Sequence, residues 1–231
     1  MSAPPSRPGR QGGPPPLAPA LAYSALIIAA AAVALTGPWP ATSAAGALSY
    51  ARAHTGLLHA EAFLAFAAAV PLAIWTATIY RRLRTLGVTA PGAVIGLAGG
   101  ILAAASIAVC GLVTWTLAET AADASPALAR ALADLGFAAG AVGSVVPLAL
   151  LIAGVAVPSL ILGLTPRWLA WAGLVIAVAG MLSTLTLVAS ALNPVLAVAQ
   201  FGALAWLVVV SLMLPASRHQ LRTGPAVRSA A

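Results

Sequence analysis

The sequence predicts an all-α integral membrane protein, a bundle of six transmembrane helices. Of its 231 residues, 61% are hydrophobic and only 6% are charged, and the mean hydropathy is +1.03. Such a chain has too few polar residues to cover a water-soluble surface. The apolar residues also fall into six runs of about 20 residues or more, each long enough to cross a hydrocarbon core of about 30 Å. The basic residues, all of them arginine, stand mainly between these runs.

The first span is predicted at residues 17–36. Before it lies a segment rich in Pro, Gly and Arg, residues 1–16, which is typical of a disordered cytoplasmic tail. An alternative is a cleaved secretory signal peptide, because two arginines precede the apolar run and small residues follow it at 41–45. The membrane-embedded chain behind it favours an uncleaved first span.

Five more spans follow an outer loop at 37–55. The second, residues 57–80, would be about 36 Å long at ~1.5 Å rise per residue. The fourth belongs to a helix that begins earlier, because Ser125 and Pro126 are typical of an N-cap followed by proline in the first turn. The predicted spans are 57–80, 93–117, 137–163, 168–191 and 195–214. The transmembrane domain is therefore expected at 17–215, with a basic cytoplasmic tail at 216–231.

The arginines predict that both termini are cytoplasmic. Six crossings place the two ends of the chain on one side of the membrane, and only Arg52 and Arg130 fall on the other side. Cytoplasmic segments of membrane proteins are enriched in arginine and lysine. We therefore expect a multi-pass protein of the plasma membrane that contacts anionic lipid at its cytoplasmic face. The arginines on the side of the termini are Arg7, Arg10, Arg81, Arg82, Arg84, Arg167, Arg218, Arg222 and Arg228.

An internal repeat is also visible. The tetrapeptide VPLA at 70–73 recurs at 146–149, and LGVT at 86–89 recurs as LGLT at 162–165, both at a separation of 76 residues. The shared register predicts a duplicated helical hairpin made of spans two and three and spans four and five. Pro71 and Pro147 should each bend their helix.

From Ala51 to Pro215 the chain resembles a family of uncharacterised multi-span membrane proteins of high-GC actinobacteria. The resemblance is carried by HAEAFLAFAAAVPLAI, RRLRTLGVTAPGAVIGLAGGILAA, VVPLALLIAGVAVP, LTPRWLAWAGLVIAVAG and QFGALAWLVVVSLMLP. Relatives are richer in glycine where this chain has FAAGAV at 137–142, a departure that bears on helix packing. The resemblance implies the six-span fold and no particular activity.

Glu61 is the charged residue best placed for chemistry. It is the only charge in 57–80 and lies about 6 Å into that helix at ~1.5 Å per residue. An ionisable residue at this depth is a functional candidate, although a position at the helix N-terminus would also favour an acid there. His54 shares the face of Glu61 if the helix begins early, whereas His59 points roughly the opposite way. A metal site on this one helix is geometrically poor, so we predict neither a metal nor another cofactor.

Further polar side chains stand at similar depth. Ser183, Thr186 and Ser190 have the spacing i, i+3, i+7 of one helix face, and Thr114, Thr116 and Gln200 lie in neighbouring spans. One interpretation is a ligand-binding cavity open to the outside. The other is that the hydroxyls bond their own or neighbouring helices. The candidate ligand-binding residues are Glu61, His54, His59, Thr116, Ser183, Thr186, Ser190 and Gln200.

The sequence favours a non-enzymatic membrane protein that binds or transports a small, apolar or cationic molecule through its outer-facing polar half, with Glu61 as the charge partner. No catalytic motif is present, the lone Cys110 excludes an internal disulfide, and the arginines lack the pattern of a nucleic-acid interface. One alternative is an accessory or regulatory subunit that acts through a membrane-protein partner or a homo-oligomer. Another is an enzyme of the extracytoplasmic face that uses Glu61 with His54 or His59 as acid and base.

Overall fold

The computed structural model describes residues 15–37 and 42–215, with the side chain of Ser190 excepted. The predicted basic tail at 216–231, and all but the last two residues of the predicted N-terminal tail at 1–16, lie outside the described residues. Within the described part every regular element is a helix. In chain order these are α1 (Leu17–Ala34), α2 (Ala44–Ala53), α3 (Thr55–Thr85), α4 (Gly92–Thr120), α5 (Pro126–Gly140), α6 (Val142–Leu162), α7 (Arg167–Leu182), two short 3-10 helices (Ser183–Leu187 and Ser190–Leu192) and α8 (Asn193–Met213).

The six-span, all-α prediction is confirmed. Six helical segments of the described chain are long and apolar enough to cross a membrane, with α5 and α6 forming one segment, Pro126–Leu162. The predicted second and third spans lie inside α3 and α4, and the sixth coincides with α8 to within two residues. Ser125 caps α5 as expected, because its hydroxyl accepts a hydrogen bond from the Leu128 amide at 3.2 Å.

Three local features differ from the sequence prediction. The expected outer loop contains α2, whose N-cap Ser43 accepts a hydrogen bond from the Gly46 amide. The long fourth helix is broken at Ala141, where φ is −91° and ψ is −99°, so that α5 and α6 are separate helices. The α-helix of the fifth span ends at Leu182, and the chain continues in 3-10 geometry. Ser183 and Ser190 therefore lie in two different 3-10 helices rather than on one α-helical face.

The bundle is built on two hairpins, α3 with α4 and α6 with α7, which pack together through α4 and α6. Glycine permits this contact, since a Cβ atom added to Gly154 would lie 2.5 Å from the Cα of Gly96. Helix α1 packs on α3, and α8 packs on α7 and α1. The core between the helices includes the fully buried Trp75, Leu148 and Leu207.

The turns that close the two hairpins have the same backbone geometry. Gly87 has φ 90° and Gly163 has φ 62°, and these are the only positive-φ residues of the described chain. Each turn contains a six-to-one hydrogen bond of the Schellman type, from the Val88 amide to the Leu83 carbonyl and from the Leu164 amide to the Ser159 carbonyl, both 3.0 Å. The bonded residues are again 76 positions apart. These turns agree with the repeat, and the duplication itself stays a prediction.

The two ends of the bundle differ in charge. One end, which we call the arginine-rich end, carries Arg81, Arg82, Arg84 and Arg167 near the α3–α4 and α6–α7 turns. The opposite end, which we call the acidic end, carries Glu119, Asp123 and Asp134. At the acidic end the Arg52 guanidinium donates to the carbonyl oxygens of Ala121 and Ala122 at 2.9 and 3.0 Å, which holds α2 against the end of α4.

Candidate functional site

A cavity of about 330 Å³ lies in the half of the bundle that adjoins the acidic end. Its walls come from α1, α3, α4, α5 and α8. Most of its lining residues are alanine, leucine, glycine, isoleucine or phenylalanine. The polar lining residues are Glu61, Cys110, Thr114 and Gln200. The cavity is therefore an apolar chamber with a few polar groups, one of which is a carboxyl group.

The packing of the helices explains why space remains there. Helix α1 packs on α3 and α8, whereas α5 packs on α2, α4 and α6. The cavity occupies the gap between these two groups of helices. On its α5 side the backbone comes close to α4, because Gly140 and Gly136 carry no side chain. A Cβ atom at Gly140 would lie 2.7 Å from the Cys110 sulfur, and one at Gly136 would lie 3.5 Å from the Thr114 hydroxyl.

Glu61 projects from α3 into this cavity and is partly exposed within it. Among the described residues its carboxyl group has no hydrogen-bond or ion-pair partner. It is the seventh residue of α3, beyond the first turn in which the helix dipole stabilises an acid. Its position is therefore not explained by the helix N-terminus, and an unpaired carboxylate in apolar surroundings is costly. Glu61 is free to engage a ligand.

Cys110 and Thr114 form the α4 wall beside Glu61. The Cys110 thiol lines the same cavity as Glu61 and lies next to the Thr114 hydroxyl and the backbone of Gly140. The two residues are four positions apart, and with Ile107 and Leu117 they follow the spacing of one helix face. Sequence reasoning did not single out Cys110, and it placed Thr114 only at the right depth. The spacing of Cys110 and Thr114 along α4 identifies them as site residues only when the face of α4 that lines the cavity is known.

Gln200 is the polar residue of the α8 wall, and it lies next to Tyr23 of α1. Its side-chain oxygen is buried without a hydrogen-bond partner among the described residues, as is the hydroxyl of Tyr23 on α1. The Tyr23 side chain is completely buried and lies near Gln200. The Gln200 side chain can therefore hydrogen-bond either to the Tyr23 hydroxyl or to a polar ligand atom in the cavity.

The structure places both predicted histidines outside the cavity. His59 Nε2 lies 2.9 Å from Glu119 Oε1, and both side chains are about half exposed. His54 stacks on Tyr50 with ring centroids 4.4 Å apart, and its Nδ1 lies 3.2 Å from the Tyr50 carbonyl oxygen. Neither histidine is a hydrogen-bond partner of Glu61, so an acid and base pair between them is not assembled in this structure.

Three of the four predicted hydroxyl residues, Thr116, Ser183 and Thr186, are not among the lining residues of the cavity. Thr116 donates to the Leu112 carbonyl at 2.9 Å, Ser183 to Gly180 at 2.6 Å, and Thr186 to Ser183 at 2.6 Å. These local bonds are those of the alternative interpretation, in which hydroxyls satisfy their own backbone. The side chain of Ser190 lies outside the described residues. Of the predicted ligand-binding residues, Glu61 and Gln200 line the cavity.

The arrangement of these residues can support non-covalent binding. A carboxyl group in an apolar wall can pair with a cation or accept hydrogen bonds, and both interactions are stronger there than in water. In the described part of the chain no group of three or more His, Cys, Asp or Glu residues could hold a metal ion. Searches among protein-family models, curated proteins and solved structures found no match, so the resemblance to the actinobacterial family stays a prediction.

Proposed function

We propose that this protein binds a small molecule in the Glu61 cavity, as a binding or transport protein of the membrane. The observation that carries the proposal is the Glu61 carboxyl group, which has no partner among the described residues and faces a cavity of about 330 Å³. Ligand sites in proteins are typically concave and mostly apolar, with a few polar groups that orient the ligand, and measure roughly 300–1,000 Å³. The cavity has this composition and a volume near the lower limit.

Removal of the Glu61 charge should abolish most cation binding. Benzyltrimethylammonium is a suitable probe, because it combines a permanent charge with a small apolar body. We expect Glu61→Gln to weaken its binding to the purified protein at least about tenfold, since a charge pair in a desolvated site commonly contributes more than 1.4 kcal/mol. Equilibrium dialysis in detergent measures the dissociation constants.

Two controls make this experiment specific. Glu119→Gln removes a carboxylate at the same end of the bundle. This carboxylate is paired with His59 and does not line the cavity. Its binding should equal that of the wild type. Neopentylbenzene is the neutral isostere of the probe. Its dissociation constants for wild type and Glu61→Gln should differ much less than those of the cation. Equal affinities of wild type and Glu61→Gln for the cation would show that the proposal is wrong.

We also propose that both termini are cytoplasmic, which places the cavity in the outer half of the membrane. The charge difference between the arginine-rich and acidic ends supports this orientation. Fusions to green fluorescent protein and to alkaline phosphatase provide the test. A C-terminal fusion should be fluorescent and lack phosphatase activity, whereas a phosphatase inserted after Asp123 should be active. Phosphatase activity at the C-terminus and none after Asp123 would contradict the orientation.

A further inference from the structure

We infer that the ligand of the Glu61 cavity is a hydrophobic organic cation that is dissolved in the bilayer and enters sideways, between α5 and the α1–α8 pair. The inference deepens the proposed function and rests on it for the role of Glu61. It adds a substrate class and a route of entry. Both follow from how the described residues close the cavity on its α2 side and leave it open along the helices.

On the side of α2, an apolar cluster covers the cavity toward the acidic end. Leu58 and Leu117 line the cavity and also belong to a cluster of buried residues that joins α2, α3, α4 and α5. The other buried members of the cluster are Leu48, Ala51, Ala118, Ala121, Ala124 and Ala129. Helix α2 is held over this cluster by the Arg52 hydrogen bonds to α4 and by a hydrogen bond from Arg130 to the Thr42 carbonyl. A hydrated solute that followed the α2 side would have to disrupt this packed layer.

Along the helices the cavity lacks such a cover. Helix α5 packs on α2, α4 and α6, and close packing on α1 or α8 is absent from the described structure. Two apolar lining residues on either side of this gap are exposed, Phe201 of α8 with 50% and Phe137 of α5 with 39% of the surface accessible. Phe201 lies well inside α8, so the gap is at the depth of a membrane-spanning segment. At that depth the surrounding medium is lipid, and an entering molecule comes from the bilayer.

The lining selects the class of molecule. A small inorganic or strongly hydrated cation would have to leave its water for walls that offer Glu61, Gln200 and few other polar groups. A hydrophobic amine or quaternary ammonium ion loses little hydration, covers the apolar walls with its body and brings its charge to Glu61. The aromatic rings of Phe137 and Phe201 at the gap also attract organic cations through their faces.

Cys110 provides a native reporter for the route, because it is the only cysteine of the chain and lines the cavity. The thiol adds across the double bond of a maleimide, and the rate measures access. In sealed cells treated from outside, we expect apolar N-phenylmaleimide to label Cys110. Each labelling rate is divided by the rate of the same reagent with free cysteine. The normalised rate of a charged, membrane-impermeant maleimide should be at least about tenfold lower than that of N-phenylmaleimide, because a charge enters the membrane interior at high cost. A Cys110→Ser variant gives the background.

A pair of adjacent substitutions locates the entrance. Ala197 on α8 lines the cavity and is exposed, whereas its neighbour Val198 is 69% exposed and is not part of the lining. We expect Ala197→Trp to slow labelling by N-phenylmaleimide severalfold and Val198→Trp to leave it unchanged. If Cys110 reacts too slowly for comparison, Ala133→Cys in a Cys110→Ser background places the thiol on the α5 wall, where the same difference between reagents is expected.

The substrate class has its own test. Benzyltrimethylammonium should protect Cys110 from labelling in the wild type and not in Glu61→Gln. Tetramethylammonium, which has the charge without the apolar body, should protect far less.

The possible outcomes separate the three claims. Equal normalised rates for the two maleimides, with no effect of Ala197→Trp, would overturn the lateral route and leave binding at Glu61 intact. Equal protection by the two ammonium ions would overturn the substrate class. A wild-type protein that does not bind the cation, or that binds it no better than Glu61→Gln, would refute the proposed function even if the labelling pattern supports lateral entry.

Discussion

Gly154→Ala is expected to lower the stability of the bundle markedly although it adds a single methyl group. The added Cβ atom would lie 2.5 Å from the backbone N and Cα of Gly96 and 2.6 Å from the carbonyl oxygen of Gly92. These are backbone atoms of α4, so no side chain can rotate away, and α4 and α6 must separate along their contact. Overpacking of this kind costs about 1–3 kcal/mol or more. Close contact through small residues is also a main source of helix association in membranes.

Gly56→Ala is the matched control for this prediction. Gly56 stands in the first turn of α3, and a Cβ atom there would have no neighbour within 4 Å. Since alanine restricts the unfolded chain more than glycine does, this substitution should be neutral or should stabilise by about 0.4–1 kcal/mol. The apparent melting temperature of each variant in detergent, followed by tryptophan fluorescence, should fall for Gly154→Ala and hold or rise for Gly56→Ala. Similar changes in both variants would argue against the close helix contact.

Trp75→Ala is expected to have the largest effect of any single truncation in the core. Trp75 on α3 is completely buried, and its indole N–H donates to the Ser211 hydroxyl of α8 at 2.7 Å. Ser211 in turn donates to the Leu207 carbonyl at 2.6 Å. The truncation would leave a large cavity and remove a buried hydrogen bond between α3 and α8. Loss of a buried tryptophan side chain typically costs about 3–5 kcal/mol.

Trp171→Ala separates the effect of burial from that of tryptophan itself. Trp171 on α7 is 58% exposed, so it contacts lipid more than protein. Its truncation should change stability by about 0.5 kcal/mol or less. Thermal unfolding in the same detergent compares the two variants. Trp75→Phe keeps much of the buried aromatic surface and loses the N–H donor, so its apparent melting temperature should lie between those of Trp75→Ala and Trp171→Ala. A Trp75→Ala protein as stable as Trp171→Ala would contradict the described packing of α3 and α8.

The cavity could be anticipated only in part from the sequence. Glu61 was predictable, because a lone acid within an apolar run of membrane-spanning length is rare and costly. Gln200 was predictable from its depth alone. His54 was assigned to the site by its spacing from Glu61, and His59 was kept as an alternative acid–base partner although it was expected to point roughly the opposite way. His59 instead pairs with Glu119, which is 60 residues away in sequence and belongs to α4.

Local geometry also limited the prediction of the polar stripe. The spacing of Ser183, Thr186 and Ser190 indicates one face only if the segment is a continuous α-helix. The chain instead changes to 3-10 geometry at Ser183, and the hydroxyls of Ser183 and Thr186 bond carbonyl oxygens three residues earlier. Serine and threonine near a helix end compete for such backbone bonds. Ser183 and Thr186, which suggested a ligand site, therefore satisfy backbone carbonyl groups where the α-helix ends.

The amino-acid sequence was sufficient to identify the six spans, because the thickness of the bilayer imposes a length and an apolar composition that are read directly from the chain. The faces that the helices turn toward one another had to come from the tertiary structure. A helix of a soluble protein reveals its buried face because apolar residues recur every three to four positions along the sequence. In a membrane the faces toward lipid and toward protein are both apolar. The meeting of Glu61, Cys110, Thr114 and Gln200 in one cavity therefore depends on the packing of α1, α3, α4, α5 and α8.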